Sequence, residues 1–249
     1  MRVRRVLVNI GAPGESMPFV TLELLRPFPN RVTMTLRTLS IVLLLAVAAA
    51  AGADPGSYAN RDEAVRAAES PNADTRAEAL AWIAGHGTQA DAAILKEHLT
   101  DDNVYVRNIA EQSLWTLWSR SGDDAVDGLL AAGTEQMRTG DLDGAIATFS
   151  TVITQKPEFA EGWNKRATAL FLAGEFRRSL ADCDEVMKRN PLHFGALAGY
   201  GQIYFHLEQY ERAIAYWKRA LEVNPNLSGV ETSIRATEQL LAERRRRGA

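Results

Sequence analysis

ALAGYGQIYFHLEQYERAIAYWKRALEVNP, residues 196–225, decides the fold, because a stretch upstream repeats its skeleton: WNKRATALFLAGEFRRSLADCDEVMKRNP, residues 163–191. Pro157, Pro191 and Pro225 stand 34 residues apart. Other columns keep the same step: Gly133, Ala167 and Gly201; Leu142, Phe176 and Tyr210; Ala145, Ser179 and Ala213; Phe149, Cys183 and Trp217. A period near 34 is the length of one two-helix unit. The small columns suit points where two helices cross closely, and the bulky columns fill the space between helices. Gly140 and Gly174 fall where the first helix of a pair ends and read as helix C-caps, whereas the third turn carries Glu208 instead. Each proline ends a second helix, since the residue before it is driven out of the helical region.

These two stretches resemble the tetratricopeptide repeat family, and a weaker copy begins near Val126, with Leu129 where Trp163 stands in the next. The resemblance implies an all-α fold, a right-handed α-solenoid of three helix pairs over about 126–159, 160–193 and 194–227, within a region 122–227. A repeat stack needs a solvated end cap. Residues 228–249 fit one: Val230, Ile234, Thr237 and Leu241 make a single helical stripe opposite Glu231, Arg235, Glu238 and Gln239. Arg244 to Arg247 then favour either the helix dipole or contact with an anionic surface.

A fainter repetition precedes the array. ADTRAEALAWI and VYVRNIAEQSL align at a step of 31, pairing Arg76 with Arg107, Ala79 with Ala110 and Ile83 with Leu114. Residues 54–121 therefore resemble HEAT-type helical repeats, in which an acidic residue and an arginine help tie neighbouring helices. The other reading is a plain helical pair packed on the first repeat. Trp82, Trp115 and Trp118 belong to the core or junction of this region.

Further upstream, residues 34–53 read as a secretory signal peptide: Arg37, an apolar run from Ile41 to Ala51 too short to span a bilayer, and a small-x-small site at Ala51-Gly52-Ala53. Cleavage there starts the mature chain near Asp54, in the periplasm or outside the cell, with no stable membrane span left. No cysteine stands at that junction to carry a lipid anchor. Residues 1–33, with Arg2, Arg4, Arg5 and four prolines but no periodicity, read as an over-extended start ahead of Met34, and as disordered if made. Residues 1–53 hold six of the 28 basic and two of the 31 acidic residues, so 22 basic and 29 acidic remain, a net charge of −7. That balance argues against a general nucleic-acid or membrane-surface binder.

Chemistry finds no foothold. Neither GxSxG nor HExxH nor a phosphate-cradling glycine loop is present, so no catalytic, metal or cofactor site is expected. His86, His98, His193 and His206 are scattered and read as structural or solvated. The single cysteine, Cys183, sits in a packing column as a small apolar residue. Arg166 and Asp182, on the two helices of the middle repeat, resemble an intrarepeat ion pair common in the family.

The family's phase also places a concave groove along the first helices, with Leu130, Thr134 and Met137, then Asn164, Thr168 and Phe171, then Ala198, Gln202 and Phe205 on it. Asn164 and Gln202 would hydrogen-bond an extended peptide backbone, and Met137, Phe171 and Phe205 would receive apolar side chains. Each position also suits a solvated or end-packing role. Some family members grip a C-terminal carboxylate with basic residues here. The matching positions, Leu130, Thr134, Thr168, Ala198 and Gln202, hold none, which disfavours chaperone tails as ligands. The expected function is thus an exported adaptor that binds a protein or peptide without catalysis. The rival is an accessory regulatory subunit of an envelope or cell-wall enzyme, touching its partner through the N-terminal helices near Trp115 and Trp118. Self-association by end-to-end stacking fits either.

Overall fold

The computed structural model describes residues 58–248, and every regular element among them is helical. The readings for 1–33 and 34–53 lie outside the described residues. Two short pairs come first: α1 (Arg61–Ala68) with α2 (Ala73–His86), then α3 (Ala92–Glu97), prolonged by a 3-10 turn over His98–Thr100, with α4 (Val104–Trp118). Three longer pairs follow: α5 (Asp124–Thr139) with α6 (Leu142–Gln155), α7 (Ala160–Leu172) with α8 (Phe176–Arg189), and α9 (Phe194–His206) with α10 (Tyr210–Val223). The single helix α11 (Ser228–Gly248) closes the array. The array is an α-solenoid of helix pairs.

Local chemistry sets these boundaries. Asn60, Asn72, Asn103, Asp123 and Asp141 cap their helices by accepting backbone N–H bonds within the first turn. Gly140 (φ 87°) and Gly174 (φ 78°) end α5 and turn after α7 in the left-handed region. Glu208 occupies the same place after α9 at φ 57°, a conformation that strains a residue with a Cβ.

The columns of the 34-residue period pack as their sizes require. A Cβ on Gly133 would lie 2.6 Å from the Phe149 ring, and one on Gly201 would lie 2.3 Å from Trp217, so both glycines are set by the ring opposite. Phe149, Cys183 and Trp217 are buried between their pairs. On α11, Val230, Ile234 and Thr237 are buried, and Leu241 packs partly against the same cluster.

The N-terminal pairs do not simply extend the stack. Their core includes Phe194 of the array, with Leu192, Val223 and Leu227 packed on it. Three ties run along the inter-repeat turns: Lys156 Nζ donates to the Ser121 carbonyl, Trp115 and Trp118 pack on His193 and Phe194, and Asn226 Nδ2 donates to the Leu99 carbonyl at 2.8 Å. The N-terminal unit therefore lies against the turn edge of the array. A Cβ on Gly195 would strike Trp115 at 2.4 Å, which explains glycine in the first turn of α9.

Candidate ligand groove

Between α7 and α9 a cleft of about 20 Å³ opens, room for roughly one water molecule. Asn164, Thr168 and Phe171 line it from α7, Gly195 and Gly199 from α9, and Cys183 of α8 forms part of its floor. Asn164 Nδ2 donates to Glu161 Oε2 at 3.1 Å, and Thr168 Oγ1 donates back to the Asn164 carbonyl at 3.0 Å. One turn along α9, Gln202 Oε1 is buried and accepts from no donor among the described residues. A buried acceptor without a donor costs desolvation free energy, about 1–3 kcal/mol, that a bound N–H would recover.

The remaining candidates have other surroundings. Met137 is a correction: it is 6% exposed and packs with Val126, Leu130 and Phe149 inside the first pair, so it receives nothing from solvent. Leu130 and Ala198 are likewise core residues. Thr134 spends its hydroxyl on the Leu130 carbonyl at 2.8 Å. Phe205 is half-buried against Tyr210 and Trp217, with ring centroids 5.4 and 6.0 Å away, and so helps hold the third pair together. Phe171 meets Phe176 and His206 at 5.7 and 5.1 Å while still facing the cleft. Asn164, Thr168 and Phe171 thus come together on the cleft, Gln202 lies just beyond it, and Met137 is outside it. The physical reason is depth: a long side chain at a helix crossing reaches the neighbouring helix rather than the open face.

Arg166 holds Asp182 through Nε at 2.7 Å and Nη2 at 2.8 Å, and its Nη1 reaches Ser150 Oγ of the preceding pair at 3.0 Å. Its role is to join α6, α7 and α8. Pro157, Pro191 and Pro225 each follow the residue that closes α6, α8 and α10.

A buried pair escaped the sequence reading. His193 and Glu161 are 0% and 1% exposed, with His193 Nε2 2.9 Å from Glu161 Oε2. His193 Nδ1 accepts the Ala196 backbone N–H at 3.1 Å, which leaves the ring proton on Nε2 to donate to the carboxylate. Trp118 stacks on the imidazole at 4.6 Å. Through Glu161 and Asn164 this pair connects the N-terminal unit to the cleft. Nothing in the 34-residue phase marks it, because Glu161 and His193 are 32 residues apart and the ring that covers them, Trp118, comes from the other unit.

Cys183 is not poised as a nucleophile. Burial pushes the Cys183 thiol up, and Asp182 and Asp184 push it further, so it stays protonated. Burial lowers the affinity of His206 for a proton. Among the described residues no group of three His, Cys, Asp or Glu side chains is arranged to hold a metal, and no helix is long and apolar enough to cross a membrane.

Two family models of the tetratricopeptide repeat match residues 130–187 and 198–227. These residues are tetratricopeptide repeats. The chain is 31% identical over 108 residues to a TPR repeat-containing protein of Rhizobium etli, covering 43% of this chain and 53% of that one. It is 33% identical over 86 residues to the BBSome complex member BBS4 homolog of Drosophila melanogaster, covering 34% of this chain and 18% of that one. The matches thus span about half of the first relative and under a fifth of the second. Among solved structures, the first TPR of Spaghetti (RPAP3) bound to an HSP90 peptide is similar at 26% identity and a TM-score of 0.46, covering 47% of this chain and 93% of that one. The cleft is lined by α7 and α9, the first helices of the second and third pairs, with Ser179 and Cys183 of α8 beneath them.

Proposed function

We propose that the protein is an exported adaptor that binds an extended protein segment in the groove of its tetratricopeptide repeats and performs no reaction on it. The observation that carries this reading is the unpaired Gln202 Oε1 one turn from a cleft that Asn164 and Thr168 line. An amide acceptor and an amide side chain about a cleft suit a peptide backbone, whose N–H and C=O are complementary to both. The cleft is open between packed helices without a ligand, so the ordering cost of binding falls on the partner. Export is read from residues 34–53, and we place the mature chain in the periplasm or outside the cell on that pattern alone.

The test uses in-cell cross-linking in an envelope-intact bacterium, with the native chain beside a chain carrying Asn164→Ala and Gln202→Ala. The expected result is a mature form starting near Asp54 and one cross-linked partner lost in the double variant. Partners that persist unchanged would remove the groove from the account, and an uncleaved cytoplasmic chain would remove export.

A second reading makes the N-terminal unit, as HEAT-like repeats, the contact surface of an accessory subunit. Its support is the pair of exposed side chains Val104 and Tyr105 at the start of α4. The contact would not involve Trp115 or Trp118, which are 9% and 2% exposed and engaged with the array.

A further inference from the structure

The two N-terminal pairs repeat more than an alignment. Arg76 Nη1 donates to the Ser70 and Pro71 carbonyls at 2.9 and 3.2 Å. Thirty-one residues on, Arg107 Nη1 donates to the Asp101 and Asp102 carbonyls at 2.7 and 3.2 Å. The loops match too: Asn72 N–H binds Ser70 Oγ and Asn103 N–H binds Asp101 Oδ1, and each asparagine caps the next helix. So both guanidinium groups are fixed in one posture by one edge.

The other edges differ. Arg76 uses Nε and Nη2 to hold the two oxygens of Asp101, the first residue of the next loop, at 2.8 Å each. Arg107 has a fork of the same shape, and no carboxylate among the described residues takes it. The loop after α4 keeps the same turn, with Asp123 N–H bound to Ser121 Oγ and Asp123 capping α5, but it starts with a serine and so brings no carboxylate to Arg107. Val104, one turn before Arg107 on the same face of α4, is 60% exposed, and Tyr105 beside it in the chain is 46% exposed; they are two of the three large apolar side chains that are exposed among the described residues.

We propose that the outer edge of α4 is a docking site for an acidic loop of a partner protein, with the free edge of Arg107 taking an aspartate or glutamate carboxylate and Val104, one turn before it, covering the apolar side chain beside it. Charge complementarity selects the occupant: a fixed planar fork of N–H donors matches a carboxylate in two parallel bonds. The rung between Arg76 and Asp101 is the template, occupied within the same chain. Because two backbone carbonyls already immobilise Arg107, little side-chain freedom remains to be lost on binding.

The probe is the peptide acetyl-Asp-Asp-Asn-Val-Tyr-Val-amide, the sequence of residues 101–106, whose first carboxylate is the one that accepts the N–H bonds of Arg76 in the folded chain. It is titrated into the full chain labelled with nitrogen-15, following the Arg107 Nε–H resonance, identified by its loss in Arg107→Lys. A saturable shift at millimolar peptide is expected, with binding weakened about tenfold or more when the first aspartate of the peptide is asparagine or when Arg107 is lysine. The chain carrying Asn164→Ala and Gln202→Ala should bind the peptide unchanged, which separates this site from the groove. No saturation, equal binding of the asparagine peptide, or loss of binding in the groove variant would each overturn the proposal. If Arg107→Lys fails to fold, the two peptides on the native chain still decide.

Discussion

The N-terminal unit and the tetratricopeptide array solve the same problem with different materials. Both stack helix pairs and both tie them with an arginine and an aspartate. In the N-terminal unit Arg76 reaches across to the loop of the next pair, so its ion pair is the joint between repeats. In the array Arg166 joins the two helices of one pair, with only a hydroxyl contact to the preceding pair. Packing differs in kind as well. Alanine and leucine pack the helices of the first unit, with its tryptophans turned to the array, whereas rings set against glycine pack the pairs of the second. Glycine on α9 makes room for the Trp217 ring of α10, and the cleft opens elsewhere, between α7 and α9. The N-terminal unit shares its core with the array through Trp115, Trp118 and Phe194, and at its outer edge it leaves the Arg107 fork unfilled.

The two units meet through Trp118, and its removal should have the largest effect. Trp118→Ala deletes a ring that is 2% exposed and stacked on His193, a loss of about 3–5 kcal/mol. Chemical denaturation should change from one transition to two, with the array surviving the first. A single transition with a small loss of stability would mean that the units are joined elsewhere, through Lys156 or Asn226.

Inside the array, one helix should give opposite answers at two glycines. Gly201→Ala drives a methyl into the Trp217 ring and should destabilise by about 1–3 kcal/mol. Gly199→Ala meets only Cys183 Sγ, at 4.0 Å, an ordinary contact, and should stabilise by about 1 kcal/mol through helix propensity. Thermal melting of both variants checks the pair. If both destabilise, the cleft is tighter than its geometry and the contrast between crossing and open face fails. A smaller gain, under about 1 kcal/mol, is expected for Glu208→Gly, which relieves the left-handed residue where the first two turns have glycine; its exposed contact with Arg244 at 3.3 Å offers little to lose. An unchanged melting point would show that the third turn carries no strain.

How much of this was legible follows from what each feature depends on. The helix pairs and the closing helix follow from local spacing: prolines after α6, α8 and α10, glycines at the turns, and one stripe on α11. The step of 31 was legible too, down to Arg76 and Arg107, because it repeats within the chain. The docking of α4 on the inter-repeat turns was not. It depends on Trp115 and Trp118 meeting His193 and Phe194 some 75 residues later, across two different periods, and no single period records such a contact. The groove was legible by face but not by depth. Asn164, Thr168 and Phe171 reach the cleft, while Met137 shares their phase and is drawn into the core by Phe149.

Acid gives the gentlest way to separate the two kinds of joint. The Arg76 guanidinium holds the Asp101 carboxyl below its usual range; burial opposes this, and the Asn103 N–H adds to it. At Asp91 burial pushes up, but Arg61 and the Thr88 N–H outweigh it and the carboxyl is again lowered. A carboxyl depressed in the folded state stabilises the fold at all pH above its unfolded value of about 3.9, and that contribution fades as pH falls through the lower folded value. Protonation of Asp101 would release the joint between pairs, so hydrogen exchange in α2 and α4 should quicken below about pH 4 more than in α7 and α8. The depressed carboxyls of the array, Glu135 and Glu185, pair within their own helices near solvent and join no two elements, so their protonation should matter less. Asp101→Asn should speed exchange in α2 and α4 at neutral pH and flatten its acid dependence. Parallel loosening of both units would show instead that an arginine spanning two repeats ties the fold no differently from one kept within a single repeat.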